Sequence, residues 1–365
     1  RSSAASDVYK RQTYHKADVP EPSGPTMDLT ATNIVIATGA KPRPLPGNPF
    51  AGALIDSTQA LEVNEFPSSA VIIGAGAIAL EFASMWNAAG SKVTLLIRKD
   101  RVLSAWDRRA GTTLTRELKR HGVNIITRAS VTHVDTGANL GATVHYTREG
   151  QDGEQSVWGE IALVAIGRDP ITDPAWGVTI DDHGHVATDA YGRTDKPGVW
   201  AVGDVTAGHA LAHRAFEQGI VIAETIAGLN PKPVDEATVP QIVFSFPEAA
   251  SVGLTVEQAQ AREDLIEIKE TNYPMLANAR MLMSGTAGSL TIVSGCDAAN
   301  PDTPRVLGVH MVSQMASDII AEAEQLVGNH VPLADAARLV HPHPTFSETL
   351  GEALLKADGR PLHTR

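Results

Sequence analysis

The segment Val71-Ile72-Ile73-Gly74-Ala75-Gly76-Ala77-Ile78-Ala79-Leu80-Glu81 constrains this chain more than any other. An apolar run breaks at a G-x-G-x-x-A turn and resumes as a small-residue helix, the sequence form of a strand, turn and helix built around a dinucleotide. Gly74 permits the tight turn, Gly76 lets the backbone approach a pyrophosphate, and Ala79 lets helix and strand pack closely. The phosphates then sit on the helix N-terminus, where unpaired N–H groups and the macrodipole favour negative charge. The spacing predicts a helix to about Ala89 with Gly90 as its C-cap, then a second strand from Lys92 to Ile97.

The end of that second strand bears on which nicotinamide cofactor fits. An acidic residue about 20 positions beyond the turn would bind the ribose 2′-hydroxyl of NAD. Here the strand ends Leu96-Ile97-Arg98-Lys99, and two cations suit the 2′-phosphate of NADP. The competing reading leaves Arg98 and Lys99 as solvated surface charges and gives the ribose to Asp100 or Asp107. The NADP reading is preferred.

At 365 residues the chain exceeds the size of most single cores, so more than one lobe is expected. No uncharged run approaches the length of a membrane span. The formal charge of −12 argues against a nucleic-acid partner. These features describe a soluble, cytoplasmic α/β enzyme. The single cysteine, Cys296, excludes an internal disulfide framework. Its neighbourhood, Val293-Ser294-Gly295-Cys296-Asp297, reads as a polar turn, which argues against a nucleophile there. Residues 1–12 are polar, do not form a secretory signal and are expected to be a non-native leader, with the frame beginning near Thr13.

Residues 31–39 (Ala-Thr-Asn-Ile-Val-Ile-Ala-Thr-Gly) read as a buried strand ending in a turn. The same form returns at Ile161-Ala162-Leu163-Val164-Ala165-Ile166-Gly167-Arg168 and at Gly198-Val199-Trp200-Ala201-Val202-Gly203-Asp204. Ligands of open α/β sheets bind at such strand ends, so Thr38, Gly39, Gly167, Arg168 and Asp204 are candidate cofactor contacts, with a plain glycine turn as the alternative. Helices are expected over residues 107–121 and 211–227, and Pro231-Lys232-Pro233 reads as a linker. Beyond residue 239, a strand at 241–245, a capping box at Thr255-Val256-Glu257-Gln258, strands near Leu290 and Val306 and helices at 316–327 and 333–339 make an α+β lobe.

His341-Pro342-His343-Pro344-Thr345-Phe346-Ser347-Glu348 is the last constellation. A histidine pinned by prolines, with a carboxylate five residues on in the first turn of a helix, suits an acid–base dyad, His343 with Glu348. Capping and packing is the competing reading. A metal held by His341 and His343 is disfavoured because no third ligand of suitable spacing is evident, and no metal is expected.

These motifs together resemble the flavoprotein pyridine nucleotide-disulfide oxidoreductases of class I. The resemblance runs from about Asn33 to His363. It is carried by Ile36-Ala37-Thr38-Gly39, the Gly74 turn, Ala165 to Arg168, Ala201 to Asp204, and Leu211-Ala212-His213-Arg214-Ala215. It continues through Phe246-Pro247-Glu248-Ala249-Ala250-Ser251-Val252-Gly253-Leu254-Thr255, Ala277-Asn278-Ala279-Arg280 and His343 to Glu348. The third lobe looks most like the branch that oxidises dihydrolipoamide, whereas the Ala79 turn and the run from Leu96 to Leu103 look like the glutathione-reducing branch. The fold implied is α/β, with two Rossmann-like dinucleotide-binding domains and a C-terminal α+β dimerisation domain. The incomplete FAD domain would occupy residues 13–60 and 171–235, the inserted NAD(P) domain 61–170 and the dimerisation domain 239–365.

By this resemblance, electrons pass between dihydrolipoamide, a redox disulfide, FAD and NAD(P). His343, oriented by Glu348, would move the thiol proton in the partner subunit's active site. Asp204 would bind the flavin ribityl chain, with Thr38, Gly39 and His213 near the flavin. Glu81 would lie near the nicotinamide, with Gly74, Gly76 and Ala79 along the pyrophosphate. The implied partners are a second copy of the chain and a small dithiol or the lipoyl domain of a 2-oxo acid dehydrogenase complex. One departure is serious: the family's first glycine-rich turn and Cys-x4-Cys pair are missing, and Cys296 matches neither redox cysteine. The expectation is a fragment that binds FAD poorly and turns over no disulfide by itself. The rival readings are a glutathione-reductase-like NADPH enzyme and a non-catalytic dimerisation module.

Overall fold

A computed structural model describes residues 29–137 and 141–364. The expected leader and the start near Thr13 lie outside the described residues. The fold is α/β, as expected, and the chain divides into two compact units.

One unit comprises residues 29–41 and 168–236. Strand Ile34–Ile36 pairs in parallel with Val199–Ala201, and Ile36, Val178, Val186, Val199, Ala201 and Val205 form its core. Helix Ala212–Ile226 follows a 3₁₀ turn at Gly203–Val205 and closes at Gly228, whose φ of +79° suits glycine. The buried strand expected over residues 31–39 is shorter: only Ile34–Ile36 is extended, and Val35 is exposed. A two-stranded ladder covered on one face buries alternate residues, so Ile36 goes in and Val35 goes out.

The other unit comprises residues 42–167 and 237–364. Its first layer is a five-stranded parallel sheet in the spatial order Leu54–Ile55, Ile161–Val164, Ser69–Ile73, Lys92–Leu96, Asn124–Ile126. Parallel strands buried on both faces read as unbroken apolar runs, and Val71, Ile72, Leu95 and Leu163 are fully buried. Ile72, Leu95 and Leu163 pack against Leu80 and Trp86 of helix Ala77–Ala88 and Leu114 of helix Arg108–Arg120. Val71, Ile73 and Leu96 face the opposite way, onto Val144 and Tyr146 of an antiparallel sheet made by Ala129–Asp135, Ala142–Arg148 and Gln155–Gly159.

A second five-stranded sheet, antiparallel, runs Gln241–Val243, Glu248–Gly253, Asn300–Ser313, Ser289–Asp297, Leu265–Pro274. Helices Ala316–Gly328, Leu333–Ala336 and Glu348–Ala357 bury Ile320, Ala323, Ala336, Leu350 and Leu354 against it. The capping box at Thr255 and Gln258 forms in both directions. The polar turn expected around Cys296 is instead the end of strand Ser289–Asp297, whose first eight residues are buried. Ladder hydrogen bonds to strands on both sides satisfy the backbone there, and the Ser289 and Thr291 hydroxyls of the same strand donate to Thr113 Oγ1 at 3.1 Å and Asn272 Oδ1 at 3.0 Å, so its polar residues do not draw it to the surface. Burial pushes the Cys296 thiol up, which keeps it protonated and unreactive.

Candidate functional site

Gly74, Gly76 and Ala79 come together at one helix end. Gly74 has φ of +145°, and a Cβ there would lie 2.1 Å from the Ala165 carbonyl oxygen and 3.3 Å from the Ala79 Cβ. Its role is therefore steric: turn and strand could not close with a side chain present. Gly76 caps helix Ala77–Ala88 with no side-chain hydrogen bond, and nothing lies within 4 Å of where its Cβ would be. Open space over uncapped N–H groups fits a pyrophosphate. Glu81 is half-buried on the same helix, and its Oε1 accepts the Phe244 N–H at 3.0 Å.

Arg98 and Lys99 are exposed after strand Lys92–Leu96. Asp107 is buried and spends its Oδ1 on the Ala110 N–H at 2.8 Å, which removes it as a ribose ligand. Asp100 is paired with Arg101 at 3.2 Å. A cleft of about 420 Å³ follows, lined by Asp100, Arg101, Arg108, Thr112, Arg116 and Lys119. The cations from helix Arg108–Arg120 were not legible as part of a site, because only the fold brings them beside Arg101.

Thr38, Gly39 and Arg168 are also brought together. The Thr38 hydroxyl donates to the Ile171 carbonyl at 2.6 Å, the Gly39 carbonyl accepts the Ile171 N–H at 2.9 Å, and the Arg168 guanidinium donates to the Ala40 carbonyl. Arg168 thus has a structural engagement of its own. Gly167 has φ of +133°, and its carbonyl accepts the Arg43 N–H at 3.1 Å. Asp204 sits half-buried in the Gly203–Val205 turn, and its carboxylate has no hydrogen-bond partner among the described residues. An unspent carboxylate there fits the hydroxyls of a polyol chain. His213 is exposed in the first turn of helix Ala212–Ile226, while its neighbour Arg214 is buried and ion-paired with Glu236. Arg214 ties the helix to the segment after the linker.

His343 and Glu348 form the expected pair: His343 Nδ1 lies 2.8 Å from Glu348 Oε1. Glu348 Oε2 accepts the Thr345 N–H at 2.8 Å, so both carboxylate oxygens are fixed. Burial opposes ionisation of Glu348, but the Thr345 N–H and the His343 ring outweigh it and hold the carboxyl below its usual range. The His343 ring is 73% exposed, with its Nε2 edge away from this bond. Asn278 caps helix Ala279–Ser284 through the Met281 N–H and donates its Nδ2 to the Thr345 carbonyl at 3.0 Å. Arg280 lies 5.5 Å over the Phe346 ring. A second pair that sequence reading missed stands beside the first: His341 Nε2 lies 2.9 Å from Glu322 Oε1, and the Glu322 carboxylate raises the His341 pKa.

A family model described as pyridine nucleotide-disulphide oxidoreductase matches residues 3–219, and the dimerisation-domain model of the same group matches residues 239–354. A curated dihydrolipoyl dehydrogenase of Cupriavidus necator is 38% identical over 341 residues, covering 92% of this chain and 70% of the relative. Dihydrolipoyl dehydrogenase 3 of Pseudomonas aeruginosa is 37% identical over 352 residues, 92% of this chain and 71% of the relative. Among solved structures, LpdA from Mycobacterium tuberculosis superposes with a TM-score of 0.80 at 27% identity, covering 92% of this chain and 71% of that one. The HOCl-induced flavoprotein disulfide reductase RclA from Escherichia coli gives 0.79 at 26% identity, covering 90% and 74%.

Proposed function

The chain belongs to the pyridine nucleotide-disulphide oxidoreductase family, and on that premise we propose that it is the nicotinamide-binding and proton-handling part of a dihydrolipoyl dehydrogenase-like enzyme, with FAD and NAD(P) as cofactors. The observation that carries this is the His343 and Glu348 pair, a ring held at Nδ1 by a doubly anchored carboxylate with its other edge open. When bound, the cofactors supply the hydride and electron chemistry that side chains cannot. The chain's own residues hold and orient. Gly74 closes the turn, Gly76 leaves the helix N-terminus open to a pyrophosphate, Glu81 lies on the same helix for the nicotinamide end, and Asp204 takes flavin hydroxyls. Thr38, Gly39 and Gly167 shape the strand ends; Arg168 and His213 are assigned to the cofactor surroundings on the family pattern. Domain limits of 13–60 with 171–235, 61–170 and 239–365 accompany this reading.

His343 Nε2 takes the proton of a dithiol substrate and returns it in the reverse direction, while the ionised Glu348 stabilises the resulting imidazolium. A second chain completes the site, as the dimerisation segment supports, and the dithiol comes from lipoamide or from a lipoyl domain. Arg98 and Lys99 favour NADP over NAD, supported by the engagement of Asp107 elsewhere. Because Cys296 is the one cysteine of these 365 residues and is buried, disulfide turnover needs a cysteine pair that this chain does not contain.

The test has two arms. The 365-residue chain should bind NADPH, more tightly than NADH, yet show no lipoamide turnover; the longest gene product carrying a Cys-x4-Cys pair should oxidise dihydrolipoamide. Failure of the chain to bind either dinucleotide would overturn the reading.

A further inference from the structure

The outer face of the small antiparallel sheet gathers two histidines, His133 and His145, and two carboxylates, Asp135 and Glu154. His133 and His145 stack face to face, with ring centroids 4.1 Å apart and planes 8° from parallel. They meet because the ladder is irregular. Val131 pairs with Tyr146, but His133 pairs with His145, so one extra residue is accommodated between Val131 and His133. Without that bulge, His133 would share the face of Val131, which packs on the core; the bulge turns it outward to stand opposite His145.

Glu154, just before strand Gln155–Gly159, completes the group. Its Oε1 lies 3.8 Å from His133 Nδ1 and its Oε2 3.6 Å from His145 Nδ1. One nitrogen from each ring and a carboxylate oxygen lie within 4.8 Å of one another. Bonds of about 2.0–2.1 Å from a tetrahedral Zn²⁺ would set such ligands a little over 3 Å apart, so the observed spacings need only a small contraction. Asp135 stands on the other edge, its Oδ2 3.0 Å from His145 Nε2. A carboxylate that accepts from Nε2–H leaves Nδ1 as the lone-pair nitrogen, which is how metal-bound histidines are ordinarily oriented. The Thr132 hydroxyl donates to Glu154 Oε1 at 2.7 Å and steadies the third ligand.

From this arrangement we propose a divalent transition-metal site, of Zn²⁺ type, made by His133 Nδ1, His145 Nδ1 and the Glu154 carboxylate, with Asp135 as its positioning residue. Two imidazoles and a carboxylate select a borderline cation over Mg²⁺ or Ca²⁺, which prefer all-oxygen shells. Water takes the remaining position. Binding splays the two rings out of their parallel stack toward a shared ion, a rotation open to side chains 47% and 22% exposed. The ion would tie two strands of the sheet to the residue that leads into the third.

Zn²⁺ titrated calorimetrically into the full 365-residue chain, with Co²⁺ absorption as a probe of coordination, tests the site. The expected result is one equivalent bound and a melting temperature that rises with Zn²⁺. Binding should be lost in the H133A/H145A double variant, weakened at least about tenfold in E154Q, and weakened by roughly 10–100-fold in D135N with unchanged stoichiometry. All four positions are solvent-facing, so the variants should melt like the parent without metal. H343Q should bind Zn²⁺ like the parent. No saturable binding, or binding undiminished in the double variant, would overturn the proposal, the second outcome moving the ion to the His343 or His341 pairs.

Discussion

Glu348 is anchored through both oxygens, whereas His343 is anchored through one nitrogen, and that asymmetry separates the two roles. On the proposed function the carboxylate would orient and the ring would carry the proton. In the enzyme carrying its redox pair, His343→Gln should lower kcat for dithiol oxidation by about 10²–10⁴. Glu348→Gln keeps a hydrogen bond to the ring but loses the charge that stabilises imidazolium, so a loss on the order of 10–100-fold is expected, read by steady-state kinetics. The neighbouring His341, paired with Glu322 and packed on the helix of Gly351, bears on stability. A Cβ on Gly351 would lie 2.3 Å from His341 Nδ1, so this helix admits the ring only because glycine faces it. Glu322 raises the His341 pKa. A raised imidazole pKa means that the folded state binds the proton more tightly; the stabilisation is full below the ordinary value near 6.5 and fades as pH rises through the raised value. Glu322→Gln should therefore cost on the order of 1 kcal/mol at pH 6, and the difference from the parent should shrink towards pH 8 in chemical denaturation.

At the scale of elements, two glycines in one turn do different work and can be separated by experiment. Gly74→Ala puts a Cβ into the Ala165 carbonyl at a φ that disfavours any side chain; a loss of about 3 kcal/mol or more is expected in denaturant melts. Gly76→Ala meets open space at ordinary φ. It should melt within a degree or two of the parent yet bind NADPH roughly tenfold more weakly, because the added methyl occupies the ground where the pyrophosphate would sit. The same turn shows why part of the fold was legible. The strand, turn and helix from Ser69 to Ala88 are fixed by local apolar periodicity and by glycine placement, as are the helix behind Asp107 and the dyad, whose partners are five residues apart. Strand Ser289–Asp297 was misread because its polar residues are satisfied by neighbours absent from the local sequence. The His133 and His145 cluster was invisible for a related reason: a bulge, not a spacing, brings the two rings to one face. Helix Arg108–Arg120 could be predicted, but its lining of a basic cleft required the fold.

For the whole molecule, the segment that holds the dyad also carries the apolar surface a second copy would need. Val340 is 95% exposed, directly before His341, and Met283, Leu282 and Leu339 are exposed in the same unit. Contiguous exposed apolar surface marks an interaction site, and residues 239–354 match the dimerisation-domain model. Sedimentation should therefore show a dimer. Val340→Asp should leave the protomer folded, since the side chain touches little within its own chain, yet place an unpaired charge in a contact that must dehydrate. Such a charge costs about 3–5 kcal/mol, enough to raise the dimer dissociation constant by 100-fold or more. If His343 works in a site completed by the partner, dithiol oxidation in the redox-competent enzyme should fall as the dimer fraction falls and recover as concentration rises. NADPH binding, whose proposed residues all lie on one chain, should stay unchanged. A Val340→Asp protein that remains dimeric, or a monomer with full activity, would separate the dyad from the interface and break the link between proton handling and assembly.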